Sequence, residues 1–273
     1  MKLLRRIVAT LAVLVVALYL AGLGVLYFFQ RNFQYEPQGR LLALSETTLT
    51  NAELVTIPTS DGQSIKGWYA PPATGKPVIV YYRGNSGSFS SEHIRFETFA
   101  ASGYGFLAVD YRGFGGSAGE ISQEHILADA LAAFDWAKAK GLPLVIWGRS
   151  LGSGPASYVA SERDADALLL ETPFDSAVAV ARDRYGFFPV GWLMKDQFPV
   201  DQWILEVSEP VFVAHGTADT TIGEAHGQRV YDLAPHKGGI WIVPGAGHAD
   251  LWRAGIWDQA RPFFETAEKA AGR

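Results

Sequence analysis

The sequence predicts an α/β fold built on a mostly parallel central sheet with helices on both faces. Short apolar runs alternate with helical patterns from about residue 78 to the C-terminal end, which implies parallel strands joined by crossover helices. One of those runs, Leu144 to Trp147, breaks into glycines around a serine and resumes as a helix, the strand-turn-helix unit of such sheets. Ahead of this domain, Ile7 to Phe29 is 23 residues without a charge. As a helix that stretch rises about 34 Å, enough to cover a hydrocarbon core of about 30 Å.

The N-terminal run is read as a single membrane anchor at 7–29, after a cytoplasmic N-terminus at 1–6. A cleaved signal peptide is the alternative, but the apolar cores of those segments run only about 7–15 residues. The best small-residue cleavage candidate, Gly22-Leu23-Gly24, lies inside the run. Lys2, Arg5 and Arg6 precede the span while Arg31 and Arg40 follow it, a bias that keeps the N-terminus in the cytoplasm and sets the domain outside. Tyr27, Phe28, Phe29, Phe33 and Tyr35 form either an interfacial aromatic collar or a face packed on the domain.

The remainder, 30–273, reads as one domain. Leu54–Ile57 and Ser64–Tyr69 flank Ser60-Asp61-Gly62 as a hairpin. Val78–Tyr82 follows as a buried strand, then a helix at 91–101, a strand at Phe106–Val109 and a helix at 122–140. After the strand Leu144–Trp147 and its helix come the strand Ala167–Leu170, an aromatic-rich insert at about 175–207 and the strand Val211–Ala214. A helix at 223–233, a strand at Gly239–Val243 and a helix from Ala249 close the chain.

Composition narrows the function classes. With 273 residues, 48% of them hydrophobic and 13% aromatic, the chain can bury a large core. A net charge of -5 and no basic run longer than Arg5-Arg6 argue against a nucleic-acid partner. Cysteine is absent, which excludes disulfides, zinc-thiolate sites and thiol catalysis. The six histidines are scattered singly, so no metal spacing is visible and no cofactor is implied.

Gly148-Arg149-Ser150-Leu151-Gly152 fits the G-x-S-x-G nucleophile elbow, a strained turn that holds a hydroxyl above a sheet edge. Serine is a poor nucleophile at neutral pH, so it needs a histidine base and an acid to orient that base. Asp219 follows the strand Val211–Ala214, and His248 lies in a glycine-rich turn after the last strand. The order Ser150, Asp219, His248 is that of the α/β hydrolases, and each member lies just past the C-terminal end of a predicted parallel strand.

On these residues the chain resembles the α/β-hydrolase superfamily, and more closely its small membrane-anchored serine hydrolases of the serine aminopeptidase or esterase type. The likeness spans about 33–267 and also rests on Gly84-Asn85, Asp110-Tyr111-Arg112-Gly113-Phe114-Gly115-Gly116-Ser117, Glu171-Thr172-Pro173-Phe174 and His215-Gly216-Thr217-Ala218-Asp219. It implies an α/β-hydrolase fold, an acyl-enzyme on Ser150 and cleavage of ester, thioester or amide bonds. It also implies an oxyanion hole from the backbone N–H groups of Asn85 and Leu151. The family commonly has His-Gly-Asn where this chain has Arg83-Gly84-Asn85, so Arg83 either braces the loop or selects an anionic substrate.

Glu171 is a second candidate for the acid, and Asp219 is preferred because its loop matches the family's acid loop. By the same likeness His215 is a hydrogen-bonded structural histidine, whereas His93, His125, His226 and His236 are expected in solvent. Tyr185, Phe187, Phe188, Trp192, Met194, Phe198 and Trp203 make the insert either an acyl-binding cap, for a small-molecule or lipid-like acyl substrate, or a packed helix pair. Two rivals remain. A nucleotide-dependent oxidoreductase would use Gly148-x-x-x-Gly152-x-Gly154 and Glu171, but the loop lies mid-sheet and no Tyr-x-x-x-Lys pair exists. A non-catalytic tethered binding module would have no use for Ser150, Asp219 and His248.

Overall fold

The computed structural model describes residues 1–270. Its centre is an eight-stranded sheet of β1 (Glu53–Pro58), β2 (Ser64–Ala70), β3 (Val78–Tyr82), β4 (Gly105–Asp110), β5 (Leu144–Arg149), β6 (Ala167–Glu171), β7 (Val211–Gly216) and β8 (Lys237–Val243). The spatial order is β1-β2-β4-β3-β5-β6-β7-β8. β2 runs antiparallel to β1 and β4, and every other pair is parallel. This is the expected α/β-hydrolase fold.

Ten helices accompany the sheet among the described residues: α1 (Lys2–Gln34), α2 (His93–Ala101), α3 (Gln123–Lys138), α4 (Ser153–Glu162), α5 (Ala177–Tyr185), α6 (Val190–Leu193), α7 (Val200–Trp203), α8 (Glu224–Leu233), α9 (Leu251–Ala254) and α10 (Ile256–Ala270). Every residue of β3, β4, β6 and β7 is buried, which is why these strands read as unbroken apolar runs. Successive side chains go to opposite faces. Val80, Tyr82, Ile146, Leu168 and Val213 join one core with α3, α4 and α8. Ile79, Tyr81, Val145, Trp147 and Leu169 join the other with α2 and α10. Trp147 alone meets Phe99 and Trp257 at centroid distances of 5.4 and 6.4 Å, a burial whose loss costs about 3–5 kcal/mol.

The chain leaves β3 toward β4 on one side and returns to β5 on the other, so a crevice opens beyond the carboxyl ends of β3 and β5. Two glycines let the turn after β5 pack there. A Cβ on Gly148 would lie 2.4 Å from Cβ of Ala156, and one on Gly152 would lie 2.0 Å from the Tyr82 carbonyl oxygen.

Three elements differ from the expected boundaries. α1 continues past Phe29 to Gln34, because its last turns dock on the domain rather than ending at an interface. Arg31 pairs with Asp196 at 2.9 Å and Glu120 at 2.6 Å, and Gln34 Nε2 donates to the Asp196 carbonyl at 2.9 Å. The closing helix is broken into α9 and α10 at Gly255, whose φ of 98° no helix accommodates. The insert is divided between its two expected roles. Phe198, Val200 and Ile204 are buried in the core, whereas Phe187 and Trp192 are 90% and 91% exposed.

Gly148→Ala forces a methyl into backbone and side chain that cannot move aside, so stability should fall by about 1–3 kcal/mol. Thermal unfolding of the purified protein checks this, the expected drop being several degrees, at about 2–4 °C per kcal/mol.

Candidate active site

Ser150 follows β5 at the sheet rim with φ 50°, a left-handed conformation that β-strand and helix both exclude. Its hydroxyl is thereby lifted off the rim instead of lying along the strand. The Nδ1–H of His248 donates to Oδ2 of Asp219 at 2.7 Å, since a carboxylate can only accept. That leaves Nε2 of the same ring to accept from the Ser150 hydroxyl at 2.8 Å. The three residues predicted from sequence therefore form one hydrogen-bonded chain, although 98 residues separate Ser150 from His248.

Asp219 is held on all sides. Its Oδ1 accepts from the backbone N–H of Thr221 at 2.8 Å and Ile222 at 2.9 Å. Burial works against ionisation, but the donors around it, His215 and His248 first, outweigh that and keep the carboxyl well below the usual carboxylate range. His215 is buried, with Nε2 donating to the Ile222 carbonyl at 2.8 Å, and so buttresses the acid loop as the family position implied.

Glu171 is spoken for by a different set of partners. Arg95 donates to both its oxygens at 2.8 Å, and Trp147 Nε1 donates at 3.0 Å. Arg149 lies 3.6 Å from the same carboxylate and 3.7 Å from Glu92. Glu171 is enclosed by these donors at 1% exposure while the His248 ring pairs with Asp219, which removes Glu171 both as alternative acid and as a dinucleotide contact.

Arg83 is fully buried and braces the loop from within. It donates to the Ser86 carbonyl, lies 3.6 Å from Asp110 and stacks 5.0 Å above the Phe114 ring. Asp110 in turn receives Ser88 Oγ at 2.6 Å and the Phe89 N–H at 2.9 Å. Asn85 uses its side chain outward: Nδ2 donates to the Gln34 carbonyl at 2.9 Å and Oδ1 accepts from the Glu36 N–H at 3.2 Å. Asn85, Ser150, Leu151 and His248 line one cavity of about 560 Å³, most of whose remaining wall comes from the insert and from α1.

Two features escaped the sequence reading. His226 is buried, not solvated: Nδ1 meets Asp175 at 2.8 Å and Nε2 meets Asp183 at 3.0 Å, so the first of these carboxylates, then the second, raises its pKa against the cost of burial. Leu26, Gln30, Phe33 and Gln34 of α1 line the cavity. Their spacing of i, i+4, i+7 and i+8 was visible as a stripe, but nothing in the sequence says which surface it meets.

Comparison with known proteins agrees with the fold and the family. A profile of the serine aminopeptidase (S33) family of hydrolases matches residues 76–182. An uncharacterized protein of Mycobacterium tuberculosis is 30% identical over 254 residues, 90% of each chain. This chain belongs to the α/β-hydrolase superfamily. The hydrolase is also 31% identical over 206 residues to lysophosphatidylserine lipase ABHD12 of Rattus norvegicus, which covers 66% of this chain and 52% of that one. Among solved structures, a Pyrococcus furiosus esterase superposes with a TM-score of 0.69 at 19% identity, covering 85% of this hydrolase and 98% of the esterase.

Arg95→Met would remove the bidentate partner of Glu171, leaving the buried carboxylate only Arg149 at 3.6 Å and the Trp147 N–H, and should cost about 3–5 kcal/mol in chemical denaturation. The depressed Asp219 carboxyl adds stability that is complete above the unfolded-chain value of about 3.9 and is lost as pH falls through the folded value. Melting curves of wild type and Asp219→Asn should therefore differ most near neutrality and converge in strong acid.

Proposed function

We propose that this chain is a single-span membrane-anchored serine hydrolase that cleaves carboxylic ester, thioester or amide bonds through an acyl-enzyme on Ser150. The observation that carries the proposal is the unbroken Ser150–His248–Asp219 hydrogen-bonded chain at the rim of the parallel sheet.

In this reading Ser150 Oγ attacks the acyl carbonyl carbon while His248 Nε2 takes the hydroxyl proton. Asp219 holds the ring and balances the imidazolium. The tetrahedral oxyanion accepts from the backbone N–H groups of Leu151 and Asn85, a contribution worth about 2.7–4 kcal/mol per donor. Collapse breaks the bond to the leaving group, which departs with the proton from His248. Water, deprotonated by His248, then attacks the acyl-enzyme and releases the acid and the free serine.

The apolar helix supports the anchoring half of the reading. Residues 7–29 carry no charge, and no residue of α1 is buried in the protein. The excess of Lys2, Arg5 and Arg6 before the span over Arg31 and Arg40 after it supports a cytoplasmic N-terminus with the hydrolase domain, 30–273, on the other side. The largely apolar residues lining the cavity, and the lipase named among the relatives, favour a lipid-like acyl substrate.

Ser150→Ala should lower ester hydrolysis by about 10⁴-fold or more, the loss seen when a triad nucleophile is removed. It should also abolish labelling by a fluorophosphonate probe while the melting temperature is kept. Wild type that takes no label at neutral pH would sink the proposal. A panel of acyl esters of rising chain length beside aminoacyl amides then separates lipase from peptidase chemistry.

A further inference from the structure

The C-terminal third of α1 behaves as part of the domain. Gln30 Nε2 donates to the Leu193 carbonyl at 3.1 Å while its Oε1 accepts from the Lys195 N–H at 2.6 Å. Arg31, Gln34 and the Tyr35 hydroxyl all converge on Asp196. These contacts turn Leu26 and Phe33 toward the cavity that holds Ser150 and His248. A flexible tether would need none of this.

The insert also reaches far along α1. Tyr19 donates to the Phe187 carbonyl at 3.3 Å and stacks on Phe188 at 5.4 Å, and the Phe188 ring lies 3.5 Å from where a Gly22 Cβ would stand. From Phe29, where the uncharged run ends, back to Tyr19 is about 15 Å of helix rise, half of a hydrocarbon core of about 30 Å. The insert tip thus sits at a depth at which water is absent if α1 spans a bilayer. Its surface suits that depth: Phe187 and Trp192 have almost no protein cover. Leu26 is about 4.5 Å inside the same run, so the cavity extends from Ser150 to the level of the acyl chains.

We propose that α1 is a wall of the substrate site as well as the anchor, and that the cavity takes an acyl chain directly from the leaflet in which the insert tip is immersed. The inference rests on the membrane-anchored hydrolase reading and names its substrate class, an acyl ester of a leaflet-resident amphiphile. The chain lies along Leu26, Phe33, Leu193 and Met194. The ester carbonyl meets Ser150, the C–O bond breaks with the alcohol leaving on the His248 proton, and water releases the fatty acid.

The test uses the full chain in phosphatidylcholine vesicles. Leu26→Trp, which thickens the wall, should lower the ratio of kcat/KM for dodecanoyl over acetyl p-nitrophenyl ester by about ten-fold, and a ratio within about two-fold of wild type overturns the wall. Phe187→Asp with Trp192→Asp should slow hydrolysis of the dodecanoyl ester embedded in vesicles by about ten-fold more than hydrolysis of the same ester dispersed in detergent. Equal effects in the two media overturn the leaflet source. A readout without turnover is cis-parinaric acid fluorescence on Ser150→Ala, where adding Leu26→Trp should weaken binding by about ten-fold and unchanged binding overturns the wall. Inactive wild type whose parinaric acid binding still depends on Leu26 would remove the hydrolase reading and leave the wall standing.

Discussion

Ser150 sits at φ 50°, a conformation that costs a β-substituted residue about 1–3 kcal/mol, and the surrounding sheet must over-determine it. It does so from three directions. β5 is hydrogen-bonded on one side to β3 and on the other to β6, so the strand feeding the turn cannot shift. Gly148 lets Ala156 of α4 pack against the strand, and Gly152 lets the helix start slide under the Tyr82 carbonyl. Locked this way, the hydroxyl has one direction to point. His248 and Asp219 come to it from turns after β8 and β7, the far end of the same parallel run.

Beneath that rim lies a buried cluster of charge. Glu171, Glu92, Arg95 and Arg149 share contacts, with Tyr81 donating to Glu92 at 2.7 Å and Trp147 to Glu171. Burial alone would drive Glu92 to the protonated form, but the Arg149 and Arg95 guanidiniums reverse that and lower its pKa. A buried network of this kind is a weak source of net stability and a strong source of geometry. Arg149 precedes Ser150, and its Nη1 would lie only 2.9 Å from a Cβ at position 84. The glycine there lets the Asn85 loop rest directly on the guanidinium, so one charged platform supports both the serine turn and the loop facing it.

How much of this was legible depended on whether the signal was local. β3, β5, β6 and β7 are covered on both faces, so their apolar runs announced a parallel sheet without ambiguity. Ser150, Asp219 and His248 each occupy a strand end, which a sequence displays, and their pairing followed from chain order. What stayed hidden were contacts between distant segments that no periodicity encodes. Arg31 with Asp196 and His226 with Asp175 and Asp183 look like ordinary surface residues until the insert folds over them. The insert itself was ambiguous because its aromatic residues carry the same signal whether they end as core, like Phe198, or as exposed surface, like Trp192. Arg83 was ambiguous for a related reason: the sequence shows an extra charge in the loop and not that it is fully enclosed.

The Asn85 side chain grips the chain on both sides of Tyr35, at the Gln34 carbonyl and the Glu36 N–H, so helix and rim are joined by a clasp with no slack residues between them. A long linker would let the sheet swing freely above its anchor. Here any tilt of the helix is transmitted to the loop that faces the serine. If the helix lies in a bilayer, the thickness of that bilayer becomes a mechanical input to the geometry of the rim.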